Sequence, residues 1–497
     1  MSKRTDSPGL GSLGSAALTA ASMLLVTGFS AIAGILIARE FGRTEETDGF
    51  FAAYGLFIVV VLASYGIRVA VLPSLARARL ERRLAGEAAG YAVALTVVAV
   101  PLVVAAELAA EPIAAVLTGG GSETAQRAAT EALRWMVPAA VAHLFAGLAA
   151  SVLAARDDYG TAALGYGLGS AFGLALMLVR VDPDGIVAVA WGMALNGAVA
   201  LGLPLAVLAL RARRERMPAD AVRPTGPPTR SRLGGFAAAA SLPLALQLLY
   251  VVCLPFAGLL GVGAQTSFSY AYLAASALVA VTASSLGLVS SVPLSRVQAG
   301  PEVVARHVVS ASWLALSAIG AAAGVFALAG PQVVEAILGG AYGGDVGEEL
   351  GRLVVVLSPW MVASVGVSVT FPLVFVVGRT GALPWIGGAA LAAQLPLAWA
   401  GQAVLGLEGL ALALAASTFV VLAGLLHRLG ALAPIARGLA SGALVIGAVA
   451  LVAFAPFGFV LGPFPAAALG LLAYVVLLAL IRPRGLVSGW RYLKALT

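Results

Sequence analysis

Arg68 is the one charged side chain that falls well inside an apolar run of this 497-residue chain. A charge at that depth in hydrocarbon is costly, and one that persists there by default faces a cavity or a charged ligand. A guanidinium presents a planar fork of donors that suits phosphate. Arg68 is therefore read as a contact for the pyrophosphate of an anionic substrate. The competing reading is that it snorkels, because Arg77 follows about 13 Å further along a helix and a long stem reaches toward headgroups. His143, Asn196, Gln247 and Gln394 are uncharged polar side chains in mid-run. The first three are taken as further substrate contacts, although each equally suits an interhelical hydrogen bond. Arg39 and Asp48 flank an outer loop and are candidates for an outer gate; solvated interface charges would look the same. Catalysis finds no support. Gly119-Gly120-Gly121 lacks the downstream lysine of a phosphate loop, and no nucleophile, acid–base pair or metal cluster stands out. The chain is read as a non-enzyme without cofactor or metal.

The elements that must position these residues follow from composition. The chain is 61% hydrophobic and 11% charged, where a soluble domain carries about 25% charge. Apolar runs of roughly 20 residues recur from end to end, and each is long enough to cross a bilayer. Backbone groups in lipid must be satisfied internally, so these runs are helices. The expected spans are 16–38, 50–75, 88–108, 133–155, 160–180, 185–210, 235–262, 266–294, 308–329, 351–378, 381–402, 407–427, 439–460 and 463–481. The fold class is thus an all-α integral membrane protein of about fourteen transmembrane helices. The first run is too long for a signal-peptide core and is read as a span. Cys253, the single cysteine, excludes an internal disulfide.

With the N-terminus placed in the cytoplasm, 23 of the 30 basic residues fall on the inside, Arg39, Arg43, Arg127, Arg134, Arg180 and Arg352 fall outside, and Arg68 lies within a span. Basic residues resist translocation, so this bias sets the orientation, with both termini cytoplasmic. It also accounts for the net charge of +7 without nucleic acid as a partner. Residues 211–234, with Pro218, Pro224, Pro227 and Pro228, read as a basic cytoplasmic linker. It separates an N-terminal lobe (1–210) from a C-terminal lobe (235–430), with two more spans and a tail in 431–497.

Two landmarks recur at one offset. Thr47-Asp48-Gly49-Phe50-Phe51 opens the second span, and Thr266-Ser267-Phe268-Ser269-Tyr270 opens the eighth. Pro112-Ile113-Ala114-Ala115-Val116-Leu117-Thr118-Gly119-Gly120 follows the third span, and Pro331-Gln332-Val333-Val334-Glu335-Ala336-Ile337-Leu338-Gly339-Gly340 follows the ninth. Leu72-Pro73-Ser74-Leu75 and Val292-Pro293-Leu294-Ser295 close the corresponding helices. Six spans return the chain to its starting side, so the halves form a parallel repeat about an axis along the membrane normal. Two such lobes facing a cleft suit alternating access.

A duplicated six-span unit with two additional spans resembles the MviN/MurJ-type lipid II flippase family of the exporter superfamily that also holds polysaccharide flippases and multidrug exporters. The local likeness is strongest at Ala38-Arg39-Glu40-Phe41-Gly42 and Thr47-Asp48-Gly49-Phe50-Phe51-Ala52, with Pro73 and Leu75 beyond. The resemblance implies translocation of a polyprenyl-pyrophosphate-linked glycan, lipid II or a relative, across the bacterial inner membrane. It implies as partners that lipid-linked glycan, membrane lipids and cell-wall synthesis enzymes. The cationic cavity that the family builds from its first, second and eighth helices has diverged. Ser22–Gly34 carries no charge, Tyr270–Ala274 none, and Tyr65 precedes Gly66 where the family has an acid. A flippase for another lipid-linked polysaccharide unit is the alternative, and a multidrug exporter is a weaker one, since no Asp or Glu lies deep in a span; Glu107 and Glu408 sit near outer ends.

Overall fold

A computed structural model describes residues 28–215, 223–284, 301–376 and 380–494. Most of the first span, the Val292–Ser295 landmark, Pro218 and Arg379 lie outside the described residues. Within them the chain is helical throughout, with no strand. The first unit is built from α1 (28–41), most of α2 (Glu45–Leu80), α3 (Leu84–Leu108), α4 (Ala110–Leu117), α5 (Glu123–Ala155), α6 (Gly160–Asp184), α7 (Val187–Arg214) and the beginning of α8 (Thr229–Gly258). The second holds the rest of α8, α9 (Ala264–Val279) with a π turn after it, α10 (Pro301–Leu338), α11 (Gly344–Val356), α12 (Ser358–Val376), α13 (Leu383–Leu429), α14 (Leu432–Gly458), α15 (Pro463–Ile481) and α16 (Arg484–Lys494). It also takes in Gly42–Phe51 and Thr118–Gly121.

Among the described residues, ten helices are long and apolar enough to cross a membrane, and eleven when α11 and α12, bent by 42° where they meet, count as one span. The 47-residue α13 is about 70 Å long at 1.5 Å per residue, twice a bilayer. It is broken at Gly406 (φ 59°, ψ −131°), so it carries two spans. With the described parts of α1 and α9, the helices lie within the positions expected for about fourteen spans, although most of the first and the end of the eighth lie outside the described residues. Their outer faces carry the apolar surface: Val93, Val97, Val100 and Val104 on α3 and Leu472, Val475, Val476 and Leu480 on α15 are exposed. The interior of the second unit instead holds Thr370, Gln394, Ser417 and Thr418, all buried. Apolar surface outside and polar side chains inside is the arrangement hydrocarbon as solvent demands.

The parallel repeat is written in the backbone. Ala109, between α3 and α4, has φ −123° and ψ 21°; Ala329, the kink inside α10, has φ −127° and ψ 16°. Gly185, between α6 and α7, has φ 66° and ψ −151°, close to the values at Gly406. Each pair is separated by about 220 residues. The Gly185 and Gly406 conformation lies where a Cβ is not tolerated, so both hairpins between consecutive spans turn on glycine. The segments read as outer loops after the third and ninth spans are therefore helical, as α4 and as the end of α10 with α11.

In the first unit α5 is the most enclosed helix, with Met136 and Ala140 fully buried, and it packs on α3 and α7. Small residues set the spacing. Gly66 of α2 approaches the backbone of Ala239 in α8, where a Cβ would come within 2.9 Å of the carbonyl oxygen. The basic segment before α8 is anchored to α3. The Arg232 guanidinium pairs with Glu87 at 2.9 Å, their side chains 3% and 5% exposed. It also donates to the Thr225 carbonyl and lies 4.6 Å from the Tyr91 ring centroid. Thr225 N–H donates to Gly86 O at 3.1 Å. A Cβ on Gly90 would collide with the guanidinium. On the same side, Asp158 sits between α5 and α6. Burial alone would raise its pKa, but hydrogen bonds from the Thr161 N–H and hydroxyl and the Arg211 charge outweigh burial and hold it below the usual value.

Removing one partner of a buried pair leaves an uncompensated charge. Glu87→Ala is expected to lower stability by about 3–5 kcal/mol, whereas Glu81→Ala, which loses only the exposed pair with Arg83, changes it by less than about 1 kcal/mol. Unfolding of the purified protein in detergent, followed by circular dichroism, checks both.

Candidate functional site

Three helices of the first unit converge on Arg68. Phe57 and Arg68 stand about three turns apart on α2 and so share a face. His143 and Gly147 are one turn apart on α5, and Tyr166 comes from α6. The Arg68 stem runs along Gly147, where a Cβ would sit 3.5 Å from Cγ and 3.6 Å from Cδ. Its charge acts on Tyr166. Tyr166 and His143 lie parallel, with ring centroids 6.1 Å apart and planes at 4°. Phe57 meets His143 edge-on at 6.1 Å. Arg68 is half-buried, and among the described residues no carboxylate pairs with it. A half-buried cation near His143 and Tyr166, with no carboxylate partner among the described residues, is an arrangement that can bind an anion.

The structure thus stacks Tyr166 on His143 and runs the Arg68 stem along Gly147, one turn from His143 on the same helix. Asn196 lies elsewhere in the same unit, in the seam between α6 and α7. A Cβ on Gly169 would come 2.8 Å from its Oδ1, which is buried and has no hydrogen-bond partner among the described residues. Gln247 is half-buried on α8, at the end of the first unit. Tyr166 was not singled out in sequence; its only signal is a large polar ring between Gly165 and Gly167 in a helix of small residues.

The cluster around Asp48 belongs to the second unit. Thr44 and Thr47 close the start of α2, with Thr44 N–H donating to Thr47 Oγ1 at 2.8 Å. The buried Asp48 carboxylate then caps α9. Oδ2 accepts from Gly263 N–H at 2.5 Å, and Oδ1 accepts from Thr266 N–H at 2.8 Å and from its hydroxyl at 2.7 Å. An anion at a helix N-terminus satisfies otherwise orphaned donors and suits the helix dipole. Arg43 donates to Gly263 O at 2.8 Å and pairs with Glu349 at 3.0 Å. Tyr342 donates to Gly42 O at 2.8 Å, and the Phe51 ring packs edge-on against Tyr270 with centroids 4.9 Å apart. Beside them is a cavity of about 180 Å³ lined by Arg43, Glu349, Arg352 and Glu408 among leucines, in which Arg352 pairs with Glu408. Both oxygens of Asp48 are thus spent on α9, and the cation beside it is Arg43. Arg39 is exposed near the end of α1.

Deeper in the second unit Gln394 donates to Cys253 Sγ at 3.0 Å, and that thiol also faces the Leu410 carbonyl. This buried polar cluster is uncharged.

No family model and no curated protein sequence matches the chain. Solved structures do. An inward-facing multidrug resistance MATE transporter of the MOP superfamily aligns with a TM-score of 0.60 at 17% identity, covering 85% of this chain and 95% of that one. A MOP superfamily transporter from Pyrococcus furiosus aligns at 0.57 and 16% identity, covering 88% and 96%. The chain has the fold of the MOP superfamily transporters. Within that fold it is similar to the lipid II flippase MurJ in an inward closed conformation, with a TM-score of 0.72 at 15% identity over 95% of this chain and 99% of that one.

Replacing Asp48 by Ala strips three hydrogen bonds from the start of α9. Loss of a helix cap costs about 0.5–2 kcal/mol, so Asp48→Ala is expected to lower the unfolding free energy by that amount. Asp48→Asn, which keeps one acceptor oxygen, is expected to fall between it and the parent when unfolding is followed by circular dichroism.

Proposed function

We propose that the protein is a flippase that moves a polyprenyl-pyrophosphate-linked glycan across the bacterial inner membrane by alternating access. The observation that carries this reading is Arg68, a mid-span cation without a carboxylate partner among the described residues. Arg68 contacts the pyrophosphate, His143 and Tyr166 shape the surrounding wall, and the long apolar tail stays in lipid. The fold shared with MurJ supports a lipid-linked substrate. The segment Gly42–Phe51, with Asp48 and Arg43, is the outer latch, released when the transporter opens outward. Asn196 and Gln247 remain candidate contacts of the same pathway.

Two alternatives differ in chemistry. The uncharged stretches Ser22–Gly34 and Tyr270–Ala274 favour another lipid-linked polysaccharide unit over lipid II itself. The MATE fold admits a drug exporter, but exchange of an organic cation for protons or sodium calls for an intramembrane carboxylate, and the spans place none at depth.

Depleting the resident lipid II flippase of a bacterium and expressing this chain tests the substrate. Rescue of growth assigns lipid II; failure with insertion verified favours the other polysaccharide. A charge-assisted hydrogen bond contributes about 1.5–3 kcal/mol, so Arg68→Ala is expected to cut transport by roughly ten- to a hundredfold. Arg68→Lys should keep part of it. Unchanged transport in Arg68→Ala would return Arg68 to the role of a snorkelling side chain.

A further inference from the structure

The helix α16 is the most strongly amphipathic segment among the described residues, and it shows three faces. Gly485 and Gly489, one turn apart, form the first. A Cβ on Gly485 would collide with the Trp313 indole of α10, and one on Gly489 would come 2.6 Å from Ser310 O. These glycines therefore seat the helix flat against α10 within the second unit. The second face is apolar, with Leu486 half-buried and Trp490 65% exposed. The third is basic: Arg484 and Arg491, two turns apart, are both exposed. Arg482, also exposed, takes a left-handed conformation (φ 46°, ψ 62°) that ends α15 and turns the chain into α16. From Arg482 to Lys494 there is no acidic residue.

Geometry selects the occupant of the two open faces. The helix α15 is a membrane-crossing helix ending at Ile481, and α16 begins three residues later. The helix therefore starts at the bilayer surface. A tryptophan left 65% exposed beside arginines suits the boundary between acyl chains and headgroups, where indole rings and basic stems settle. The absence of any acid makes the complement an anionic headgroup layer. We propose that α16 is an interfacial helix that binds anionic lipid headgroups through Arg484 and Arg491, with Trp490 inserted at the acyl boundary and the two glycines fixing it to α10. This does not depend on which substrate is transported.

The test uses the full chain in nanodiscs of phosphatidylcholine alone and of phosphatidylcholine with one third phosphatidylglycerol. Amide hydrogen exchange is read over residues 484–494. Exchange is expected to be roughly tenfold slower in the anionic discs, and the difference to shrink in high salt, because screening weakens contacts with the surface charge. The double variant R484Q/R491Q is expected to erase the difference while leaving exchange in α10 unchanged. Trp490→Ala is expected to speed exchange in both lipids. Equal exchange in the two lipids, or a difference that survives R484Q/R491Q, would overturn the proposal.

Discussion

Every peptide group of this chain that enters hydrocarbon must find its partner within the protein, and each feature of the structure answers to that constraint. A continuous helix meets it without help. The difficulty arises at helix ends and breaks, where donors and carbonyls are left over. The chain meets it with a small set of devices. Where consecutive spans turn back at Gly185 and Gly406, glycine adopts a conformation closed to other residues. Where α9 begins, the Asp48 carboxylate takes the free N–H groups of Gly263 and Thr266. The same breaks recur about 220 residues apart, because each half of the repeat poses the same problem and keeps the same solution.

The charges sort by the same rule. Arg232 is almost fully enclosed, and Glu87, Tyr91 and the Thr225 carbonyl surround it. It is a settled charge whose role is to hold the segment before α8 against α3. Arg68 is half-buried and lies at mid-span with no carboxylate beside it among the described residues. A buried glutamate offsets the cost of Arg232, whereas no carboxylate among the described residues offsets that of Arg68. The contrast between these two side chains is the physical basis for reading Arg68 as a substrate contact.

The fold alone does not choose the substrate. The MATE transporters and the lipid II flippase share this architecture, and function resides in the side chains placed on it. The preference for a flippase over a cation exchanger rests on chemistry: no acidic residue lies deep in the expected spans. Arg68, the half-buried cation proposed as the contact, would suit a substrate that brings its own negative charge and leaves its apolar tail in the bilayer.

Span number, membrane class and the parallel repeat were legible in the sequence, because hydropathy and basic-residue bias act residue by residue and need no partner. The likeness around Thr47–Phe51 was legible as well, and Asp48 could be picked out as consequential. What Asp48 touches was not legible. Its partners lie more than 200 residues away, and only packing decides that α9 presents its bare N-terminus there. Glu87 and Arg232, 145 residues apart, read in sequence as one more acid and one more topogenic base. The segments after the third and ninth spans read as loops because they are short and amphipathic, and they become α4 and the end of α10 with α11 only when a core offers their apolar face a seat. Arg68 stood out by cost alone. That Tyr166 stacks on His143, while Asn196 lies against Gly169 in another seam, is decided by which helices pack together and could not be read from spacing along the chain.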